Sequence, residues 1–451
     1  MRVARASASA EAMLSWAVIL AFVGLSQCLA QSVHVDGNKV VEVLTVLANF
    51  SDHENPAVTR ILFSPNDMLA RGFVKDLMRE NNLIVREDAM GNIFGRWEGS
   101  NQAGGVVLTG SHCDAIPLAG MYDGTLGVIG AIEAVAALQR SVSCCYCYRY
   151  LNARPLALMY CCTAVLHALY CVTSRRTTFT PCRTSWPCAV PCCFLCSGPL
   201  LEREGVDIGV VTAIAAPAAL EVKFSGDGGH AGGQLMPDSS FFIQQQPALS
   251  RRFRYDHYIL LVQAPVPTND AGLAGAELAL AVERHVLGTG STDTVGTTGT
   301  FEIAPGAVNS VPRDARLAID IRDIDGPRRD GVVSAVLESA EEIAKRRKVR
   351  LVSRIVNQDP PAGSHADIVE AVAASARDLG LSTMRMVSRA YHDSLFMARV
   401  APMGMIFIPC KNGWSHRPDE FSKPEDIANG VRVLALTLAR LSEGSWPRDE
   451  L

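Results

Sequence analysis

Apolar residues in the first third of the chain recur at two periods, and the switches between them lay out alternating helices and strands. Val40, Val43, Leu44, Leu47 and Phe50 fall on one side of a 3.6-residue turn, which predicts a helix over Val40 to Phe50. Ser64-Pro65-Asn66-Asp67 is a helix start, with a hydroxyl cap, proline at the first helical position and an acid at the third. Met68, Leu69, Phe73, Val74 and Leu77 follow at helical spacing. Leu83 to Arg86 and Ile93 to Trp97 read as strands around an Asp-Ala-Met-Gly-Asn turn, and Val106 to Leu108 as a short buried strand. Leu126 to Leu138 is helical again. Such alternation predicts a mostly parallel sheet. Ligands of a sheet of this kind sit beyond the C-terminal strand ends.

From Ala219 the order changes to strand, helix, strand, strand, helix, strand. The pieces are Leu220 to Phe224, Ala271 to Val286, Gly299 to Ile303, Arg316 to Arg322, Val332 to Arg346 and Arg350 to Val356. That order predicts a small ferredoxin-like domain. Ile368 to Leu379, Met403 to Ile408 and Ile427 to Leu441 then read as helix, buried strand and helix. The expectation is an α/β domain over 35–215 and 361–445, split by an inserted domain over 216–360.

Two stretches break the pattern. From 141 to 200 the chain carries eleven of its fourteen cysteines, and it has no Asp, Glu or Lys from Ala134 to Leu201. Apart from the apolar piece around Leu156 to Tyr170 it fits neither period. Three readings compete: translated intron or frameshifted sequence, a disulfide-rich module, or a zinc module. The Cys-Cys pairs lack the two-residue spacers of common zinc motifs. A second interruption, 239–268, parts Asp238 from Asn269.

Composition narrows the class. The chain has 451 residues, more than one ordinary core accommodates. A net charge of -4 with 20% charged residues leaves no basic patch for nucleic acid. Arg2 and Arg5 precede an apolar run, Ala12 to Leu25, and Cys28-Leu29-Ala30 offers a small-residue cleavage site, so 1–30 reads as a secretory signal peptide. No membrane span is expected after its removal. Arg448-Asp-Glu-Leu451 is a variant of the Lys/His-Asp-Glu-Leu retrieval signal, and the two ends together predict the endoplasmic reticulum lumen.

The chemistry is concentrated in Thr109 to Gly124, TGSHCDAIPLAGMYDG. His112 and Asp114 follow the strand, and Asp123, inside Tyr122-Asp123-Gly124, lies eleven positions past His112. A rigid strand end ending in His-x-Asp, with a Gly-bounded loop returning a carboxylate, is a metal-site layout. Asp114 is spaced to fix the tautomer of His112. Spacing alone leaves open a turn that is merely rich in His and Asp.

Thr109-Gly-Ser-His-x-Asp followed by Tyr-Asp-Gly resembles the first half of the two-metal site of the M20 peptidase clan. It is most similar to its amidohydrolase branch, which acts on allantoate, ureidoglycolate and N-carbamoyl amino acids. Asp114-Ala-Ile-Pro117, Met403-Gly-Met-Ile-Phe-Ile-Pro-Cys410 and Ser415-His-Arg-Pro418 look closest to the plant ureidoglycolate group. The likeness runs from about Lys39 to Leu441. It implies a two-domain α/β metallohydrolase, with a split catalytic domain and an inserted ferredoxin-like lid that dimerises. It implies two manganese ions, with His112 on one, His416 on the other and Asp123 between them. His230, in Gly228-Gly-His-Ala-Gly232, is then the oxyanion donor, and Asn309 and Arg322 hold the substrate carboxylate across a homodimer interface. Without that likeness, Arg322 reads as a surface ion pair with Asp320 or Asp323. Tyr391-His392-Asp393 resembles a segment that supports the metal ligands from behind or forms the pocket wall. The implied reaction is hydrolysis of (S)-ureidoglycolate to glyoxylate, ammonia and carbon dioxide in purine and allantoin breakdown, with allantoate as the alternative substrate. The family's Glu-Glu base motif and its Glu-Leu-His string have no counterpart here. Both belong between Glu133 and Gly198, so the general base is unknown, and a catalytically silent splice or gene-model variant is a further alternative.

Overall fold

The computed structural model describes residues 29–100, 106–144, 156–160, 188–193, 199–233 and 269–443. The expected signal peptide up to residue 28, the 239–268 interruption, the 448–451 tetrapeptide and most of the Cys-rich stretch lie outside the described residues. No described helix is long and apolar enough to cross a membrane. The chain divides into two compact units. One combines the residues up to Ile214 with those from Ala362 onward, and the other is Ala215–Pro361.

The first unit begins with α1 (Gly37–Ala48), which Asp36 caps by accepting from the Asn38 N–H. Strand β1 (Val58–Arg60) follows, and then α2 (Pro65–Glu80), capped by Ser64. Sequence placed Met68 and Leu69 on the apolar face of α2, but they are 50% and 58% exposed. The helix is turned so that Ala70, Val74 and Met78 meet the core, together with buried Asp67 and Arg71. These polar residues claim the inner face because each has partners there. Asp67 accepts the Phe63 N–H, and Arg71 donates to Glu87.

Strands β2 (Ile84–Glu87), β3 (Ile93–Trp97), β4 (Val106–Ser111) and β5 (Ala115–Ala119) lead to α3 (Thr125–Cys144). Two strands lie within the Cys-rich stretch, β6 (Leu156–Tyr160) and β7 (Cys188–Cys193). The second of these departs from the sequence reading, which found no period there. A strand enclosed by neighbours on both sides needs only a short apolar run. After α4 (Leu200–Glu204) comes β8 (Ile208–Ile214).

The second unit is β9 (Ala216–Ser225), β10 (Gly229–His230), α5 (Ala271–Gly288), β11 (Val295–Ala304), β12 (Ser310–Val311), β13 (Asp314–Asp323), α6 (Gly326–Arg347) and β14 (Arg350–Gln358). Its antiparallel sheet has the order β11-β13-β9-β14, the ferredoxin-like arrangement. Val222, Phe224, Leu278, Leu317, Ile319 and Val336 belong to its core, shared with α5 and α6.

The first unit resumes with β15 (Ala362–Gly363), α7 (Ala366–Asp378), β16 (Thr383–Ser388), α8 (Ser394–Met397), β17 (Met403–Phe407) and α9 (Pro424–Glu443). Its nine-stranded sheet runs β15-β8-β17-β7-β4-β6-β3-β2, with β16 also on β8. The centre, β17-β7-β4-β6, is parallel throughout. Strands β4 and β17 therefore end on the same edge of the sheet. The fold is the split α/β architecture with an inserted ferredoxin-like domain that the sequence predicts.

Candidate metal centre

His112 is the first residue past β4. Its Nδ1 lies 3.1 Å from the Asp114 carbonyl oxygen and 3.4 Å from that residue's Oδ1. A ring held on one nitrogen presents the other, and Nε2 faces Asp123 Oδ1 at 4.0 Å. Between these residues the Cys113 thiol is fully buried, and burial pushes it up to about 12, so it stays protonated.

Asp123 reaches His112 because the loop before α3 folds against it. Gly124 has φ +68°, and a Cβ there would fall 2.3 to 2.6 Å from the imidazole atoms of His112. No larger residue permits this approach. At the other end of the loop a Cβ on Gly120 would meet Glu420 Oε2 at 2.4 Å. Tyr122, edge-on to Phe421 at 6.4 Å, ties the same loop to the segment after β17.

That segment carries His416, whose Nε2 stands 3.3 Å from Asp123 Oδ2. His416 has φ +59°, a left-handed conformation that a non-glycine residue adopts at a cost. Arg417 stacks over the Trp414 ring at 4.1 Å and pairs with Asp419, which braces the turn on both sides. Asp123 thus offers one oxygen to each of two imidazoles from opposite halves of the chain.

The charges are strongly coupled. Burial disfavours the His112 cation, yet the hydrogen bond to Asp114 and the charges of Asp393, Asp123 and Asp114 outweigh it and lift the imidazole to about 10. His416 is raised, chiefly by its hydrogen bond to Asp123. Burial works against the Asp123 carboxylate, but His416 and His112 hold it below its ordinary value. The Asp123 carboxylate thus favours the cationic form of both imidazoles.

These donor types suit a divalent ion of intermediate softness. The 3.3 Å separation is that of neighbouring donors on one ion with bonds of about 2.1 Å, and the 4.0 Å separation is wider. Among the described residues, no group of three or more His, Cys, Asp or Glu side chains converges tightly enough to enclose an ion. Taken together, these observations describe two half-sites that share Asp123. The stretch between Glu133 and Gly198, where the resemblance implies further ligands, contains no carboxylate.

Two further carboxyl groups lie beside this centre, Glu420 and the Asp393 of the expected pocket-wall segment. Glu420 is 4% exposed. Burial and the charge of Asp123 push it up to about 8. Asp393, at the start of α8, is raised by burial despite the charge of His112. The neighbouring His392 Nε2 lies 2.8 Å from Ser388 Oγ, and its ring is tilted against Phe407. The Ser-His-x-Pro-Asp-Glu string was the one signal for Glu420. Nothing local to it foretells the burial against Gly120.

In the second unit, His230 pairs with Ser310 across β10 and β12, and the Ala231 N–H donates to the Asn309 carbonyl. His230 and Asn309 are therefore neighbours, beside the Asp314 end of β13. Arg322 is at the other end of that strand, eight residues on, or roughly 27 Å along it. It donates to both carboxylate oxygens of Asp320, at 2.8 and 3.1 Å. Asp323 is held instead by Arg328 and Thr294. Within one chain the structure brings together two of the three expected substrate residues and keeps the third apart.

Residues 188–440 match the model of peptidase family M20/M25/M40. The ureidoglycolate hydrolase of Arabidopsis thaliana is 46% identical over 92% of this chain and 88% of its own length. A solved structure of AtUAH in complex with (S)-hydroxyglycine superposes with a TM-score of 0.73 at 44% identity, covering 92% of this chain and 100% of that one. The allantoate amidohydrolase of Bacillus subtilis is more distant, at 25% identity over 90% of this chain and 98% of its own.

Proposed function

Because the chain belongs to peptidase family M20/M25/M40, a family of metal-dependent hydrolases, we propose that it is an amidohydrolase of a linear ureido acid, (S)-ureidoglycolate foremost. The observation that carries this reading is the 46% identity to a ureidoglycolate hydrolase across nearly the whole chain. Allantoate differs from ureidoglycolate by one arm and is the nearest alternative.

In this reading His112, Asp123 and His416 would hold the metal, manganese. A bound divalent ion supplies Lewis acidity and a nucleophilic water at neutral pH. Asp114 orients His112 through Nδ1. In the second unit, His230 donates to the oxyanion, while Asn309 and Arg322 hold the acid group. Since Asn309 and Arg322 stand at opposite ends of β13, one substrate gripped by both requires two copies of this unit. Exposed leucines support such a homodimer. Leu273, Leu280 and Leu287 recur every seventh residue along α5 and are 40%, 64% and 72% exposed.

A second reading, a chain that binds metal but does not turn over, is favoured by the absence of any carboxylate from Ala134 to Leu201. The general base of the resembled family is the first Glu of a Glu-Glu pair, which has no counterpart there. The deciding experiment offers both substrates to the purified chain with manganese, with chelator, and with manganese restored. Glyoxylate released from ureidoglycolate in a manganese-dependent way supports hydrolysis. Preference for allantoate moves the substrate assignment, and metal binding without turnover of either establishes the silent reading.

A further inference from the structure

The geometry points to Arg60 as the positioning residue of the metal centre, acting on His112 through the Cys113–Asp114 peptide. Arg60 ends β1 and is 1% exposed. Its Nε donates to the Cys113 carbonyl at 2.7 Å. Its Nη1 donates to the Leu47 and Phe50 carbonyls, at 3.0 and 2.9 Å, where α1 ends. One planar guanidinium thus fixes the loop after β4 to the end of a core helix.

The carbonyl it holds is the informative one. It belongs to the peptide plane that launches Asp114. Asp114 in turn engages Nδ1 of His112 through both its carbonyl and its carboxylate. Nε2 is thereby directed at Asp123. The order of control runs from Arg60 to the peptide plane, to Asp114, to the His112 ring. The buried Cys113 side chain anchors the inner side of the same residue. Pairing of β1 with β5 places Arg60 opposite Ala115, directly after this loop.

Lysine cannot substitute, because it has no Nε donor and no fixed fork. Supporting groups behind metal-ligating histidines are worth 10–100-fold in metal affinity. The inference rests on the reading of His112 and Asp123 as metal ligands, and its test separates the two. Arg71 supplies the control. It is equally buried, at 1% exposure, and it donates to Glu87 and Gly91.

The experiment measures the Mn2+ dissociation constant of the full chain by competition with a chelator, for wild type, His112→Ala, Arg60→Lys and Arg71→Lys, with Tm recorded for each. The expected result is binding by wild type, loss in His112→Ala, weakening by about 10–100-fold in Arg60→Lys, and a change under about threefold in Arg71→Lys. Absence of Mn2+ binding by wild type, or unaltered binding by His112→Ala, overturns the reading of the site itself. With that reading intact, an Arg60→Lys affinity equal to wild type overturns the inference. Equal weakening by Arg71→Lys does the same. So does failure of Arg60→Lys to fold while Arg71→Lys folds, which makes Arg60 a structural residue only.

Discussion

At the residue scale the centre stores charge that a metal must displace. His112 is lifted to about 10, and Glu420 to about 8. Both folded values lie above the ordinary ones of 6.5 and 4.5, so each contributes stability that is complete below its ordinary value and lost as pH rises through its folded value. Metal-free protein is therefore expected to lose Tm steadily from about pH 5 to pH 10. In Glu420→Gln the fall between about pH 5 and 8 shrinks, because the glutamine has no proton to lose. Equal slopes in the two proteins would sink this account of Glu420. Metal ligation requires neutral His112, so Mn2+ affinity rises by about tenfold per pH unit while the ring is still protonated. Calorimetry in buffers of different ionisation enthalpy counts the released proton directly. Gly124→Ala removes the approach of Asp123 to His112. Its Cβ meets the ring at 2.3 Å and its φ is +68°, so Mn2+ affinity falls by more than about tenfold. The His112–Asp123 pair was legible in sequence because strand end, loop and carboxylate are contiguous. The state of Glu420 was not, because it depends on burial against a glycine three hundred residues earlier.

At the element scale, local signals and tertiary ones separate cleanly. α2 starts where Ser64 and Pro65 predict, and the Ser64 hydroxyl accepts the Asp67 N–H at 3.3 Å. Ser64→Ala is expected to cost about 1 kcal/mol in denaturant unfolding, the usual value of an N-cap, without altering metal binding. The inward face of α2 departs from its hydrophobic pattern because Asp67 and Arg71 are buried with partners. Strands β5, β15 and β16 have no sequence reading, since each is short and is defined by its neighbour rather than by its own pattern. β5 exists because β1 pairs with it, and the Leu118 N–H finds the Thr59 hydroxyl at 2.9 Å. In the same way β6 and β7 are strands by position in the sheet, although their surroundings in sequence are aperiodic.

At the scale of the whole molecule, the switch from α/β alternation to βαββαβ and back was readable, because each half keeps its own period. What the sequence leaves unstated is that β13 separates Asn309 from Arg322. A strand of ten residues is a rigid spacer, and no side chain bridges it. The acid group of a small substrate spans only a few ångströms, so cooperation of the two residues demands a second chain. In the proposed homodimer the heptad-spaced leucines of α5 would be the contact, since a stripe on one helix can pack against its own copy about a twofold axis. Leu280→Glu tests this. The residue is 64% exposed in the single chain, so the monomer fold should change by less than about 0.5 kcal/mol. A carboxylate at the centre of an apolar stripe meets its own twin in the dimer, and the dimer should dissociate. Sedimentation at micromolar protein reads the mass, and circular dichroism reads the fold. A folded monomer whose KM for the ureido acid rises while its Mn2+ affinity is unchanged is the expected outcome. A dimer that survives the substitution would move the contact off α5, and a folded monomer with unaltered KM would remove the need for two chains altogether.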